Sequence, residues 1–243
     1  MKALMLFTSI LALIALPVLS ESVGKLSFFV GAVKIQPKQA TDAKPAKLNQ
    51  PVSDGDRIVT DKADRAEVTL KDGSVLRIAE LSDIMIACPN GKAVSPTINK
   101  GKLWGNIKKL GQRTYDFEVS TGTATVAIRG TVFRIEDDPA DSLTKVAVYD
   151  GKVAVGPSVE LKKELTASGA MQERKEVSGP AEVPGPFEVT LMDWVTIVKG
   201  QQINVQKGGK YSQFKYDQKK DAQDDWVKFN KERDAAVLIN HEE

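Results

Sequence analysis

The sequence is short of the side chains that most enzymes and metalloproteins depend on. Its 243 residues include a single cysteine, Cys88, and a single histidine, His241. One thiol cannot form an internal disulfide, and one cysteine with one histidine cannot assemble a zinc site. His241 stands near a terminus expected to fray, a poor place for a general base. The phosphate loop, the dinucleotide glycine fingerprint and the Gly-x-Ser-x-Gly elbow are also missing, so no cofactor and no metal are expected. Charge of one sign is lacking too: 34 basic against 32 acidic residues leave a net +2, which gives no electrostatic reason to expect a nucleic-acid partner. Cys88 precedes the turn residues Pro89-Asn90-Gly91 and reads as a small half-buried apolar residue, although an odd thiol leaves a bond between molecules open.

Long hydrophobic runs are confined to the beginning. Met1-Lys2 is followed by an apolar stretch from Ala3 to Leu16, then Pro17 and Val18-Leu19-Ser20 before the polar Glu21. A basic start, an apolar core and a small residue at the cut are the layout of a secretory signal peptide, with cleavage expected after Ser20 and no cysteine there to take a lipid. An uncleaved anchor is the alternative. No later segment is long and apolar enough to span a membrane, so the mature part is expected in the periplasm or outside the cell.

What is present is a succession of short strand-forming runs cut by turns, from Gly24 to about Val155. Gly31 between Leu26–Val30 and Ala32–Ile35 fits a hairpin or a bulged strand. Asp72-Gly73 and Asp150-Gly151 each lie between alternating runs, the pattern of a β-hairpin whose central turn residues take positive φ. Residues 101–107 fit a strand or a helical turn. Thr190-Leu-Met-Asp193 has the outline of a helix cap, so residues 191–199 are expected to form a short helix, with continuation of a strand as the alternative. From Asp221 acidic residues lead and basic ones follow, which suits a helix dipole, and Trp226 with Phe229 marks its docking face or a partner-binding face. The division expected is a signal peptide at 1–20, a β domain at 21–156, a charged Pro/Gly-rich insertion at 157–186, a short helix or strand with a late strand at 187–210, and a helical tail at 211–243.

The candidate functional residues are few. Within the run Thr121–Arg134, Arg129 and Gly130 interrupt a strand pattern. A guanidinium taken out of water needs partners, either inside its own domain or on an anionic ligand. Trp104, Phe117 and Phe133 are each large enough to dominate a core, while an exposed Trp104 would offer a stacking face for a sugar. A glycosidase requires only two acids at the right separation, but the adjacent Asp137-Asp138 before Pro139 read as solvated turn residues. The chain is therefore expected to be non-catalytic.

In order and spacing, Gly31-Ala-Val33, Asp54-Gly-Asp-Arg-Ile-Val-Thr60, Ala66-Glu-Val-Thr-Leu-Lys-Asp-Gly-Ser-Val-Leu-Arg-Ile78, Lys100-Gly-Lys-Leu-Trp104, Phe117-Glu-Val-Ser-Thr121, Val126-Ala-Ile-Arg-Gly-Thr-Val-Phe133 and Val146-Ala-Val-Tyr-Asp-Gly-Lys-Val-Ala-Val155 resemble a FecR domain. The resemblance implies an all-β fold, a jelly-roll-like β-sandwich of short antiparallel strands, here with a C-terminal α-helix, located in the periplasm. It also makes Arg129-Gly130-Thr131 a recurrent structural signature. Members of the namesake type are transmembrane regulators that relay a signal from an outer-membrane iron-siderophore receptor to a cytoplasmic sigma factor. Only Met1-Lys2 stand before the first apolar segment, so a cytoplasmic anti-sigma region ahead of it is not expected. The function expected is thus a periplasmic or secreted module that binds an envelope protein or polysaccharide, with Arg129, Trp104 and Trp226 as candidate binding residues. The alternatives are a sensor subunit working beside a membrane regulator or receptor, and a carbohydrate-active enzyme.

Overall fold

Runs rich in valine, isoleucine and threonine favour a pleated backbone, and the computed structural model, which describes residues 22–89, 93–109, 117–167, 189–191 and 193–239, is built from them. The strands are β1 (Ser22–Val30), β2 (Lys34–Gln36), β3 (Lys44–Pro45), β4 (Pro51–Ser53), β5 (Asp56–Val59), β6 (Arg65–Leu70), β7 (Val75–Ile78), β8 (Asp83–Ala87) and β9 (Ser95–Asn106). They continue with β10 (Phe117–Ser120), β11 (Ala124–Ile128), β12 (Val132–Asp138), β13 (Leu143–Asp150), β14 (Lys152–Pro157), β15 (Val189–Thr190), β16 (Val195–Val198), β17 (Gln201–Gln206) and β18 (Lys210–Lys215). Helix α1 (Val159–Ala167) follows β14, and α2 (Gln218–Asp221) and α3 (Asp225–Ile239) close the chain. The expected signal peptide, residues 168–186 of the expected insertion, residues 187–188 and His241 lie outside the described residues.

The strands pair into two sheets that share one member. Sheet A runs β4–β1–β6–β7–β9–β12–β13–β17–β18–β15. Sheet B runs β3–β2–β5–β8–β9–β10–β11–β14–β16. Strand β9 belongs to both, pairing with β8 through Ser95–Lys100 and with β12 through Gly101–Asn106. Gly101 is the pivot: its φ is +99°, and a Cβ there would sit 2.2 Å from Ser82 Oγ and 2.6 Å from Ser82 Cα. Gly101→Ala is therefore expected to cost about 1–3 kcal/mol, the range for forcing atoms into a packed site, read as a lowered urea midpoint at unchanged slope.

The sandwich is made of two bent ribbons. In the first, β6 pairs with β7 in sheet A while their continuations β5 and β8 pair in sheet B. In the second, β12 pairs with β13 in sheet A while β11 and β14 pair in sheet B. A long hairpin folded over itself in this way is the element of a jelly roll. At each bend a threonine ties the two strands: Thr60 Oγ1 donates to the Ala79 carbonyl at 2.7 Å, and Thr131 Oγ1 to the Lys152 carbonyl at 2.9 Å. The main core, including Leu26, Ile58, Ile84, Leu103, Phe133 and Val146, fills the space between the sheets.

Several local expectations change against this frame. Asp72-Gly73 does close a hairpin, but Gly73 N–H bonds to the Leu70 carbonyl and only the glycine has positive φ, the arrangement of a type I turn followed by a bulge. Asp150-Gly151 is not a hairpin tip: β13 and β14 lie in different sheets, and the turn is a corner of the second ribbon. Gly31 likewise carries the chain from β1 in sheet A to β2 in sheet B. Residues 195–198 form a strand rather than part of a helix, because Val195-Thr-Ile-Val198 is wholly β-branched and β14 offers it a ladder. Strand β18 arises inside the stretch expected to be helical. Its side chains are mostly exposed, so no alternation marked it in advance. Residues 101–107 take the strand alternative through Asn106.

Candidate functional site

Cross-strand register builds a charged row on the outer face of sheet A. Phe28 lies opposite Glu67, Glu67 opposite Arg77, Arg77 opposite Trp104, and Trp104 opposite Arg134. Side chains alternate across a strand, so these face away from the main core, and α3 covers Phe28, Glu67, Arg77 and Trp104 while α2 meets Arg134. An aspartate caps each C-terminal helix: Asp217 accepts from Lys219 and Lys220 N–H, Asp224 from Trp226 and Val227 N–H. Helix α3 then turns Trp226, Val227, Asn230, Arg233 and Asp234 toward the sheet, a spacing that forms one stripe. Arg77, fully buried, donates to Glu67 and to Asp234, both at 2.6 Å, and Trp104 Nε1–H donates to the second oxygen of Asp234 at 3.0 Å. Arg233 grips both oxygens of Glu67 at 2.9 and 3.0 Å. Arg134 and the Tyr149 hydroxyl converge on Asp221 at 2.9 and 3.2 Å.

Two of the sequence-level candidates thus meet in this seam, and both are buried. Trp104 is 0% exposed, with its ring 4.4 Å from that of Tyr149, and Trp226 is 6% exposed, with its ring stacked on Phe229 at 5.8 Å. Neither presents a free face to a sugar. The seam is only partly satisfied. Arg77 Nη2, Asp221 Oδ2, Trp226 Nε1 and Asn230 Oδ1 are buried without a hydrogen-bond partner. Each such atom costs about 1–3 kcal/mol, which offsets much of what the ion pairs contribute.

The third candidate, Arg129, is half-buried at the bend between β11 and β12. Here the signature Arg129-Gly130-Thr131 packs on the other bend of its ribbon. Besides bonding Lys152, Thr131 Oγ1 donates to the Arg129 carbonyl at 3.0 Å, and a Cβ on Gly151 would sit 2.8 Å from the Gly130 carbonyl oxygen. Gly130 takes φ +56°, so the motif and Asp150-Gly151 together form the corner at which the ribbon changes sheets.

An open cleft lies elsewhere among the described residues. At one end of the sandwich a cleft of about 630 Å³ is lined by the first half of β9, the turn after β10, the β12–β13 loop and the start of α1. Ser158 caps α1 there, accepting from Leu161 N–H at 3.0 Å. Asp137, only 7% exposed, lines the cleft. Its Oδ1 accepts from Thr144 Oγ1 at 2.6 Å, and that hydroxyl lies 2.8 and 2.7 Å from those of Thr121 and Thr123. Asp138, Glu160 and Glu164 add carboxylates to the lining and Lys207 an ammonium. Asp137 is thus not a solvated turn residue: the β12–β13 ladder extends through it, and strand alternation turns its side chain inward. Such a residue was masked in the sequence by Asp138 and Pro139, which follow it with turn chemistry.

Burial pushes the Asp137 carboxyl above its ordinary range, against the Thr144 bond and with help from Asp138. A carboxyl raised in this way is most stable protonated, so its ionisation lowers stability at neutral pH, and stability is regained as pH falls through its folded value. Asp137→Asn retains an acceptor for Thr144 and removes the charge. It is expected to keep or raise the melting temperature at pH 7 and to flatten this part of the pH dependence, as thermal melts across pH would show.

The model of the family described as FecR protein matches residues 56–154. No curated protein matches the chain. Two crystal structures of a candidate anti-sigma factor from Parabacteroides distasonis are similar to it, with TM-scores of 0.47 and 0.45 and identities of 18% and 19%. In each case 66% of this chain is covered, and it spans 60% of the other. Among the described residues no helix is long and apolar enough to cross a membrane. The matched segment begins with β5 and ends in β14, taking in both bent ribbons and the corner signature, so the similarity to the FecR family lies in residues 56–154.

Proposed function

We propose that this protein is a non-catalytic FecR-domain module of the cell envelope, exported by its N-terminal segment, which binds an envelope protein or polymer through the cleft around Asp137 as part of cell-surface signalling. The observation that carries this is the placement of Asp137. A carboxyl held where its charge is costly, in the lining of an open cleft, marks a candidate ligand site. The FecR domain supports a regulatory rather than a metabolic setting, with a separate membrane regulator or receptor as the natural recipient of the signal.

The test is a native pull-down from envelope extract with the full chain, run beside Asp137→Asn and Glu160→Arg. Capture of a protein or glycan by the parent, lost in both folded variants, is the expected result. Capture that is equal in all three, or absent from all three, rejects the cleft as the binding site.

The carboxylates of the cleft favour one rival, hydrolysis of a glycoside, which needs an acid with a raised pKa and a second carboxylate across the sugar. Incubation with wall and capsular polysaccharides, followed by an assay for new reducing ends, separates the two. Release that requires Asp137 would replace the binding function with an enzymatic one.

A further inference from the structure

Helix α3 is attached to the sandwich without belonging to its core. The apolar residues between the sheets form one cluster, and Ala79, Trp104, Trp226 and Val227 form another on the outer side of sheet A. The helix can leave that second cluster without opening the first. What holds it is mainly charge and ring faces: Asp234 on Arg77, Arg233 on Glu67, and the Arg233 guanidinium 4.1 Å from the Phe28 ring. Arg77 Nη2, Trp226 Nε1 and Asn230 Oδ1, buried without a hydrogen-bond partner, lie in this seam, and Asp221 Oδ2 lies beside it in α2. A seam that rests on a small apolar cluster separate from the main core, and that holds unmet polar groups, is where local opening precedes global unfolding.

We propose that α3 is a releasable strap, and that the row Phe28–Glu67–Arg77–Trp104 beneath it is a docking face for a helix of a partner protein. The chemistry of that helix follows from the groups it must meet. An acceptor has to reach both Arg77 and the Trp104 N–H, a guanidinium has to reach Glu67 and lie over Phe28, and an aromatic ring has to stand two turns earlier. In α3 these are Asp234, Arg233 and Trp226. The partner is thus a helix carrying an Arg-Asp pair two turns after an aromatic residue. While α3 is in place it competes from the same chain, and the apparent affinity for the partner falls with the fraction of open molecules.

The experiment uses the full chain, its Asp234→Lys variant, and a labelled synthetic peptide of residues 217–239 as the probe. Asp234→Lys sets a like charge against Arg77 and leaves the sheet row itself unaltered. In hydrogen exchange, α3 of the variant is expected to lose protection by about tenfold or more while β6, β7 and β12 keep theirs. The peptide is expected to bind the variant about tenfold or more tighter than the parent, by fluorescence anisotropy. Trp226→Ala, which weakens α3 without adding charge, should reproduce both results if the lysine variant folds poorly. Loss of protection in α3 and the sheet together, or equal peptide binding to parent and variants, would overturn the proposal. None of these readouts depends on the cleft, so they stand or fall apart from the function proposed above.

Discussion

Phe133→Ala is expected to lower the free energy of unfolding by about 3–5 kcal/mol, the cost of a large cavity left by a buried aromatic. Phe133 is 0% exposed and lies in the main core, with its ring 6.4 Å from that of Phe117. Its position is enforced from the next strand. Gly105 lies directly opposite Phe133 across the β9–β12 pair, and a Cβ on Gly105 would come within 2.4 Å of two of the ring carbons. The ring therefore fills the space that a side chain at 105 would take. A urea titration followed by circular dichroism should show a lowered midpoint with one transition for the whole sandwich. A loss under about 1.5 kcal/mol, the range of tolerated core swaps, would mean that the core repacks and that the Gly105–Phe133 fit is not decisive.

Arg77→Ala is the second large effect, and it should act on a different unit. Removing one side of a buried ion pair costs about 3–5 kcal/mol, because the remaining carboxylates stay buried. Arg77 bonds Glu67 and Asp234 at once, so its loss strains both. Burial pushes the Glu67 carboxyl up, but the bonds from Arg233 and Arg77 outweigh it and hold the pKa below the ordinary 4.5. A lowered carboxylate pKa contributes stability that is whole above the unfolded value and is lost as pH falls through the folded one. The parent is thus expected to lose stability progressively below pH 4.5, and Arg77→Ala to lose part of that dependence. Since the seam lies outside the main core, release of α3 would limit the global cost and shift it to helix opening. A double-mutant cycle with Asp234→Ala apportions the effect. Additivity within about 0.5 kcal/mol would show that the Arg77–Asp234 pair carries no coupling.

The same contrast explains what could be seen in advance. Alternation in Ala66–Leu70 and Val75–Ile78, with Asp72-Gly73 between them, states a hairpin locally, because the side-chain period and the turn are properties of neighbouring residues. Asp150-Gly151 carries the same local signal and yet turns a corner, because the choice between pairing and crossing is made by the partners β11, β16 and β17. Asp137 and Asp138 are chemically identical in sequence, and only the ladder of β12 buries the first and leaves the second exposed at the same cleft.

By itself the sequence determined the strand periodicity, the motifs that resemble a FecR domain and the C-terminal helix. All of these are carried by residues close together along the chain. The tertiary structure alone decided that Glu67, Arg77, Trp104 and Arg134 stand in one row and that residues 233 and 234 close over the first three. It also decided that a carboxyl at 137 is buried beside an open cleft. The physical reason is register: a slip of one residue in any strand would turn these side chains to the opposite face, and register is set by packing across the sheet rather than by the chain beside each residue.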